Sequence, residues 1–206
     1  MNIKPYAVAL MSVCMLLASP LHAAKLTQQN LKQLITDAES IISGQVQSVS
    51  DGITAQGIPV TEVSIKVNSA AKGAHSKNSI YTFRQFGLTK PRKQPNGKQL
   101  LAVAPEGFPR WHANETVVVF MHKAAKKTGL RTTAGMANGK FVMQGGKLTN
   151  EFNNLGIFKG LEFKPGLLTE SENNMLKAAG AVNAADFMSL VGKAVSQQWI
   201  SKGEMK

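Results

Sequence analysis

Five consecutive apolar residues, Val117-Val-Val-Phe-Met121, constrain this chain more than any other feature. A strand with one wet face alternates apolar and polar side chains. An uninterrupted run of this length between turn signals instead reads as a central strand covered on both faces. Residues 60–67 show the other pattern: Val63, Ile65 and Val67 point one way, Glu62, Ser64 and Lys66 the other. Residues 41–49, 80–86, 130–134 and 140–144 read as further strands, with Gly135 and Asn138-Gly139 supplying the turn between the last two. Five or six antiparallel strands across residues 41–150 suit a small barrel or sandwich, so the fold class is mainly β within an α+β arrangement.

Helical patterns flank the β region. Residues 27–39 place Leu31, Leu34, Ile35 and Ala38 on one face, with Thr27 as a cap. Thr169-Glu-Ser-Glu172 is a capping box, and Gly180 is the expected stop. Asn183 caps a second C-terminal helix with Phe187, Leu190, Val191, Ala194 and Val195 along one stripe, and Gly203 is its expected stop.

Residues 1–23 have the layout of a secretory leader: Lys4, an apolar stretch over residues 7–18, then Ser19-Pro20 and a small residue at Ala23. As a helix, these twelve residues reach only about 18 Å, too short to span a bilayer. Cleavage after Ala23 removes Cys14, the single cysteine, so the exported chain has no disulfide and must hold itself by its core. No second apolar run reaches the length of a membrane span. The expected organisation is a leader over 1–23, a β-domain with its N-terminal helix over 24–168, and packed helices over 169–206.

The formal charge of +12 is unevenly placed. Residues 63–150 carry fifteen basic side chains against Glu106 and Glu115, a net of +13, while the flanks are neutral or slightly acidic. Residues 88–110 concentrate it in a proline-rich stretch longer than most structureless loops. Asn96-Gly97 fits a hairpin tip there, with residues 100–104 returning. The candidate ligand-binding residues are Arg84, Lys90, Arg92, Lys93, Lys98, Arg110 and the aromatic Trp111, with Lys123, Lys126 and Lys127 as outliers. Basic faces with interleaved aromatics bind single-stranded nucleic acid in some proteins, but export points instead to an anionic cell-envelope ligand or an acidic protein.

Catalytic patterns are poorly supported. Ser69-Ala-Ala-Lys72, Ser76-Lys-Asn78 and Lys127-Thr-Gly129 spell the serine β-lactamase set in order, yet only three residues separate the first two. His112-Ala-Asn-Glu115 is half a metal site without a third ligand or an HExxH pattern. No metal, cofactor or catalytic residue is assigned, and the expectation is a binding protein rather than an enzyme. A hydrolase built on His112 and Glu115 is kept as an alternative.

One arrangement resembles a known family. Ala38-Glu-Ser-Ile-Ile-Ser-Gly-Gln-Val46, Thr61-Glu-Val-Ser-Ile-Lys-Val67 with Lys72-Gly73, Gly107-Phe-Pro109 with Trp111 and Asn114-Glu115, and Gly139-Lys-Phe-Val142 resemble the motifs of a poorly characterised family of exported bacterial proteins. Their barrel is similar to the OB-like fold of netrin-type modules and tissue inhibitors of metalloproteinases. The resemblance implies an antiparallel OB-like barrel of five to six strands, with Gly44 and Gly73 in its tight turns. It also admits an inhibitor or accessory factor of a secreted protease as a second functional reading. The inhibitors' zinc chelation through an N-terminal cysteine does not carry over, because the exported chain has none.

Overall fold

Two long strands, Ser40–Ile53 (β1) and Pro59–Lys72 (β2), form the hairpin on which the rest is built. The computed structural model describes residues 29–94, 96–101 and 103–206. The expected leader and the Thr27 cap lie outside the described residues. Further strands are Ile80–Phe86 (β3), Arg92–Lys93 (β4), Gln99–Leu100 (β5), Thr116–Met121 (β6), Lys140–Gln144 (β7), Lys147–Thr149 (β8) and Val182–Asn183 (β9). Seven of them make one antiparallel sheet in the order β3-β2-β1-β6-β7-β8-β9, while β4 and β5 pair separately. The helices are Leu31–Asp37 (α1), Glu170–Lys177 (α2) and Ala184–Ser196 (α3). No helix among the described residues is long and apolar enough to cross a membrane.

The strand Val117–Met121 is indeed central and buried on both sides. Its alternate residues feed two different cores. Val118 and Phe120 meet Leu31, Leu34 and Ile35 of α1, Phe187, Leu190 and Val191 of α3, and Phe141 of β7. Val117, Val119 and Met121 meet Ile42, Val63, Ile65, Val67, Phe83 and Trp111 on the opposite face. Helices cover the first face. The second is covered by the sheet's own curvature. Trp111 shows how strong that curvature is: its ring lies 5.1 Å from Phe83 of β3 and 5.0 Å from the Lys140 Nζ of β7. A flat sheet would set those two strands about 19 Å apart, four inter-strand spacings.

The mainly β, α+β class therefore holds, but the closed barrel of five to six strands does not. Residues 130–134, expected as a further strand, make only isolated contacts. Thr133 bridges Met121, Ala134 N–H donates to the Phe120 carbonyl, and Arg131 N–H donates to the Arg84 carbonyl of β3. Their route to a full ladder is blocked because Val117, Val118 and Val119 already pair with β7. The sheet curls towards closure and stops. Before β7, Met136–Gly139 forms a 3-10 turn rather than a plain hairpin.

Smaller corrections follow local chemistry. Helix α1 begins at Leu31 and is capped by Asn30, whose side chain accepts from the Gln33 N–H while Gln33 caps back. Helix α2 carries the expected Thr169–Glu172 capping box, and Asn183 caps α3. Helix α2 ends at Lys177, and Gly180 turns the chain only afterwards at φ +80°. Helix α3 ends at Ser196, well before Gly203.

Gly73 does occupy a turn, at φ +89°. Gly44 does not: it lies inside β1 beside a register shift between Ser43 and Gly44. A Cβ there would overlap the Lys66 carbonyl oxygen and approach Ile65 Cγ2 to 2.6 Å. The missing side chain lets β2 come close where the bulged strand bends. Gly44→Ala should cost about 1–3 kcal/mol, as overpacking does. Urea unfolding would show this as a lower midpoint at unchanged slope.

Candidate functional site

The basic segment of residues 88–110 is anchored at both ends, so its middle is free to present charge. At its start, Asp51 of β1 acts as a clasp. Its carboxylate accepts the Thr89 N–H at 2.9 and 3.0 Å, the Thr89 hydroxyl at 2.7 Å and the Thr61 hydroxyl at 3.1 Å. Burial works against this charge, but the bonds from Thr89, Thr61 and the Lys90 N–H outweigh it and hold the carboxyl below its ordinary range. Buried Leu88 bridges Val103, and the Ala104 N–H donates to the Leu88 carbonyl at 3.0 Å. Gly87, at φ +95°, makes this crossing possible, because a Cβ there would collide with the Ala104 backbone.

At the other end, buried Gln85 of β3 donates to the Pro109 carbonyl at 3.1 Å and accepts from the Trp111 indole N–H at 3.1 Å. The next anchor is an ion pair. Lys140 Nζ meets Glu115 Oε2 at 2.5 Å, donates to the Arg110 carbonyl and sits over the Trp111 ring. The lysine side chain is only 7% exposed and the glutamate 20%. Burial pushes the Lys140 ammonium below its usual range, and Glu115 offsets that only in part.

Between the anchors, β4 and β5 form a short hairpin. The Gln94 N–H donates to the Lys98 carbonyl at 2.8 Å, and the Gly97 N–H to the Gln94 carbonyl at 3.0 Å. The Asn96-Gly97 tip is as expected, with Gly97 at φ +79°, although the returning strand is Gln99–Leu100 rather than residues 100–104.

Lys90, Arg92, Lys93 and Lys98 are exposed and make no ion pair among the described residues. Arg92 and Lys93 share one concavity with Ile53, Gln94 and Asn96. Arg84 is exposed too, but it sits across from Glu62 on β2 in a 2.7 Å ion pair, so its charge is compensated. Arg110 is exposed where the segment rejoins the body. Trp111 is not a free stacking surface: it is 4% exposed and packed in the second core. The outliers Lys123, Lys126 and Lys127 are exposed on the loop after β6.

Two clefts lie under the segment. One, of about 750 Å³, runs between residues 103–112 and the Thr61, Gln85 and Leu88 side chains. The other, of about 240 Å³, is lined by Arg110, His112, Glu115, Lys140 and Glu151 among others. His112 and Glu115 thus share a cavity, but the Glu115 carboxylate is taken up by Lys140 and by the His112 backbone N–H at 3.4 Å. Among the described residues, no group of three or more His, Cys, Asp or Glu side chains is arranged to hold a metal.

The sequence reading missed Asp51 and Lys140 as anchors. Lys140 stands in the motif Gly139-Lys-Phe-Val142 and Glu115 in Asn114-Glu115. Opposite charges in two separate motifs were the available signal for their pairing.

No protein-family model matches this chain. No curated protein and no solved structure matches it either.

Removing one partner of a buried ion pair strands the other charge. Glu115→Ala should therefore cost about 3–5 kcal/mol in denaturant unfolding, and the double variant Glu115→Ala/Lys140→Met should recover at least half of that loss. At the clasp, Asp51→Asn should cost about 1–2 kcal/mol at neutral pH. Because the folded-state pKa of Asp51 is depressed, its contribution is fully present above the unfolded carboxyl value of about 3.9. It is lost as pH falls through the lower folded value. The stability gap between wild type and Asp51→Asn should close on acidification, which thermal unfolding at a series of pH values would follow.

Proposed function

We propose that this chain is an exported, non-enzymatic binding protein whose basic hairpin contacts an anionic ligand of the cell envelope or an acidic protein. The observation that carries this reading is the clustering of Arg92, Lys93 and Lys98 on an anchored, exposed hairpin with no carboxylate paired to them among the described residues. Elsewhere in the basic region Arg84, Arg131 and Lys140 are paired to Glu62, Glu39 and Glu115, while, among the described residues, Lys66, Lys77, Lys123, Lys126, Lys127 and Lys147 add unpaired positive charge to the same domain. Unpaired cations held together repel one another, and a bound anion relieves that repulsion. The leader-like residues 1–23 favour export, and export favours envelope anions over nucleic acid.

A soluble polyanion such as dextran sulfate tests the reading. Binding should weaken at least tenfold between about 50 and 300 mM salt, as expected for exposed charges. The reversal Arg92→Glu/Lys93→Glu should abolish it. Titration calorimetry that found binding unchanged in high salt, or in the reversed variant, would overturn the proposal.

A further inference from the structure

The exposed apolar side chains at the same end of the sheet narrow the class of ligand. Leu101 is 70% exposed, Val103 42%, Ile53 41% and Phe86 39%. Register sets Phe86 and Ile53 at one end of the sheet but on opposite faces: Phe86, Val60 and Gly52 are paired across one face, while Ile53, paired with Pro59, lies on the other, which is the face of Asp51 and Thr61. Leu101 follows the arm of β5, and Val103 is held back to Leu88. Ile53 lines the same concavity as Arg92 and Lys93. Among the described residues, no carboxylate is ion-paired to the cations of this tip. Asp51 is occupied by Thr89 and Thr61, and Glu106, the single acidic residue of segment 88–110, lines the cleft beneath.

A soluble polyanion would engage the cations and leave Ile53, in their concavity, and Leu101, next to β5, in water. An anionic bilayer takes both, with phosphates meeting Lys and Arg while apolar side chains enter the headgroup–acyl boundary. Resting on the function proposed above, we infer that this tip docks on an anionic lipid bilayer. Ile53 and Leu101 enter the boundary, and Arg92, Lys93 and Lys98 lie at the phosphates. The clasp at Asp51 and the Leu88–Val103 bridge hold the two arms so that the cationic and apolar groups arrive on the surface together.

Vesicle co-sedimentation tests this with the protein recovered from the exported fraction. The probes are phosphatidylcholine vesicles, the same vesicles with 30% phosphatidylglycerol, and dextran sulfate. Wild type should bind the anionic vesicles at least tenfold more tightly than the neutral ones. Arg92→Glu/Lys93→Glu should lose both anionic vesicles and dextran sulfate. Ile53→Ser/Leu101→Ser should lose at least tenfold on anionic vesicles and keep dextran sulfate binding. Leu101→Ser alone, at the most exposed of these positions, should lose part of the vesicle binding with unchanged thermal unfolding, which separates docking from misfolding. If the serine variants bind anionic vesicles like wild type, the bilayer inference is wrong while the anion-binding function stands. Loss of dextran sulfate binding by wild type itself would remove both. Tighter binding to an acidic protein than to anionic vesicles, insensitive to the serine substitutions, would also overturn the bilayer assignment.

Discussion

The Lys140 ammonium is the point on which the second core and the basic segment both depend. Withdrawing such a group from water costs several kcal/mol even after the protein relaxes, and only good geometry offsets it. Here Glu115 supplies the counter-charge, the Arg110 carbonyl a further acceptor, and the Trp111 ring a polarisable face. Each partner lies within residues 110–115, so satisfying one amine fixes that whole stretch against β7. Trp111 then reaches Phe83 and Gln85 on β3. An electrostatic requirement at one strand is thereby converted into the curvature that brings two distant strands around a common core.

The same solution recurs at the C-terminus. Glu172 of α2 is 1% exposed, and burial opposes its charge. Lys193 at 2.5 Å, the Thr169 N–H and the Ser189 hydroxyl outweigh that penalty and hold the carboxyl below its ordinary range. Lys193 in turn lies over Trp199, at 5.6 Å from the ring. Two helices are thus tied by one buried pair and a tryptophan, as the segment and β7 are. Lys140 and Lys193 each meet a carboxylate and an indole, whereas half-buried Lys72 donates to the Ile35 carbonyl instead.

That regularity explains how much of the molecule was legible beforehand. Features set by neighbours in sequence were readable: the doubly buried run Val117–Met121, the Thr169–Glu172 box, the Asn183 cap, the alternation of β2 and the Asn96-Gly97 tip. Features set by distant partners were not. Residues 130–134 have strand-like composition, but β7 had already taken the edge they needed. Strands β8 and β9 are too short to show a period of two. Trp111 looked like an exposed aromatic among cations because no local pattern marks a ring that will be buried between Phe83 and Lys140. Of the candidate site, Arg92, Lys93 and Lys98 were legible as a charge cluster. Their anchoring by Asp51 and Glu115 needed the fold.

The anchors also account for why so long a segment survives with so little regular structure. A free loop of this length gains little by ordering, because fixing each backbone residue costs about 1–2 kcal/mol of entropy. Residues 88–110 do not order themselves alone. Asp51 and Leu88 fix one end, Gln85, Trp111 and Lys140 fix the other, and the Leu88–Val103 bridge brings the arms together. What remains to be closed is a short hairpin, and loop-closure cost rises only slowly with length. The chemistry divides accordingly: acidic and aromatic partners are spent at the base, and the cations at the tip are left without them. The hairpin cations Arg92, Lys93 and Lys98 share this with other surface lysines, such as Lys66, Lys123 and Lys147, which also have no ion pair among the described residues. What sets the hairpin apart is that it is carried on a base fixed by Asp51, Gln85 and Lys140.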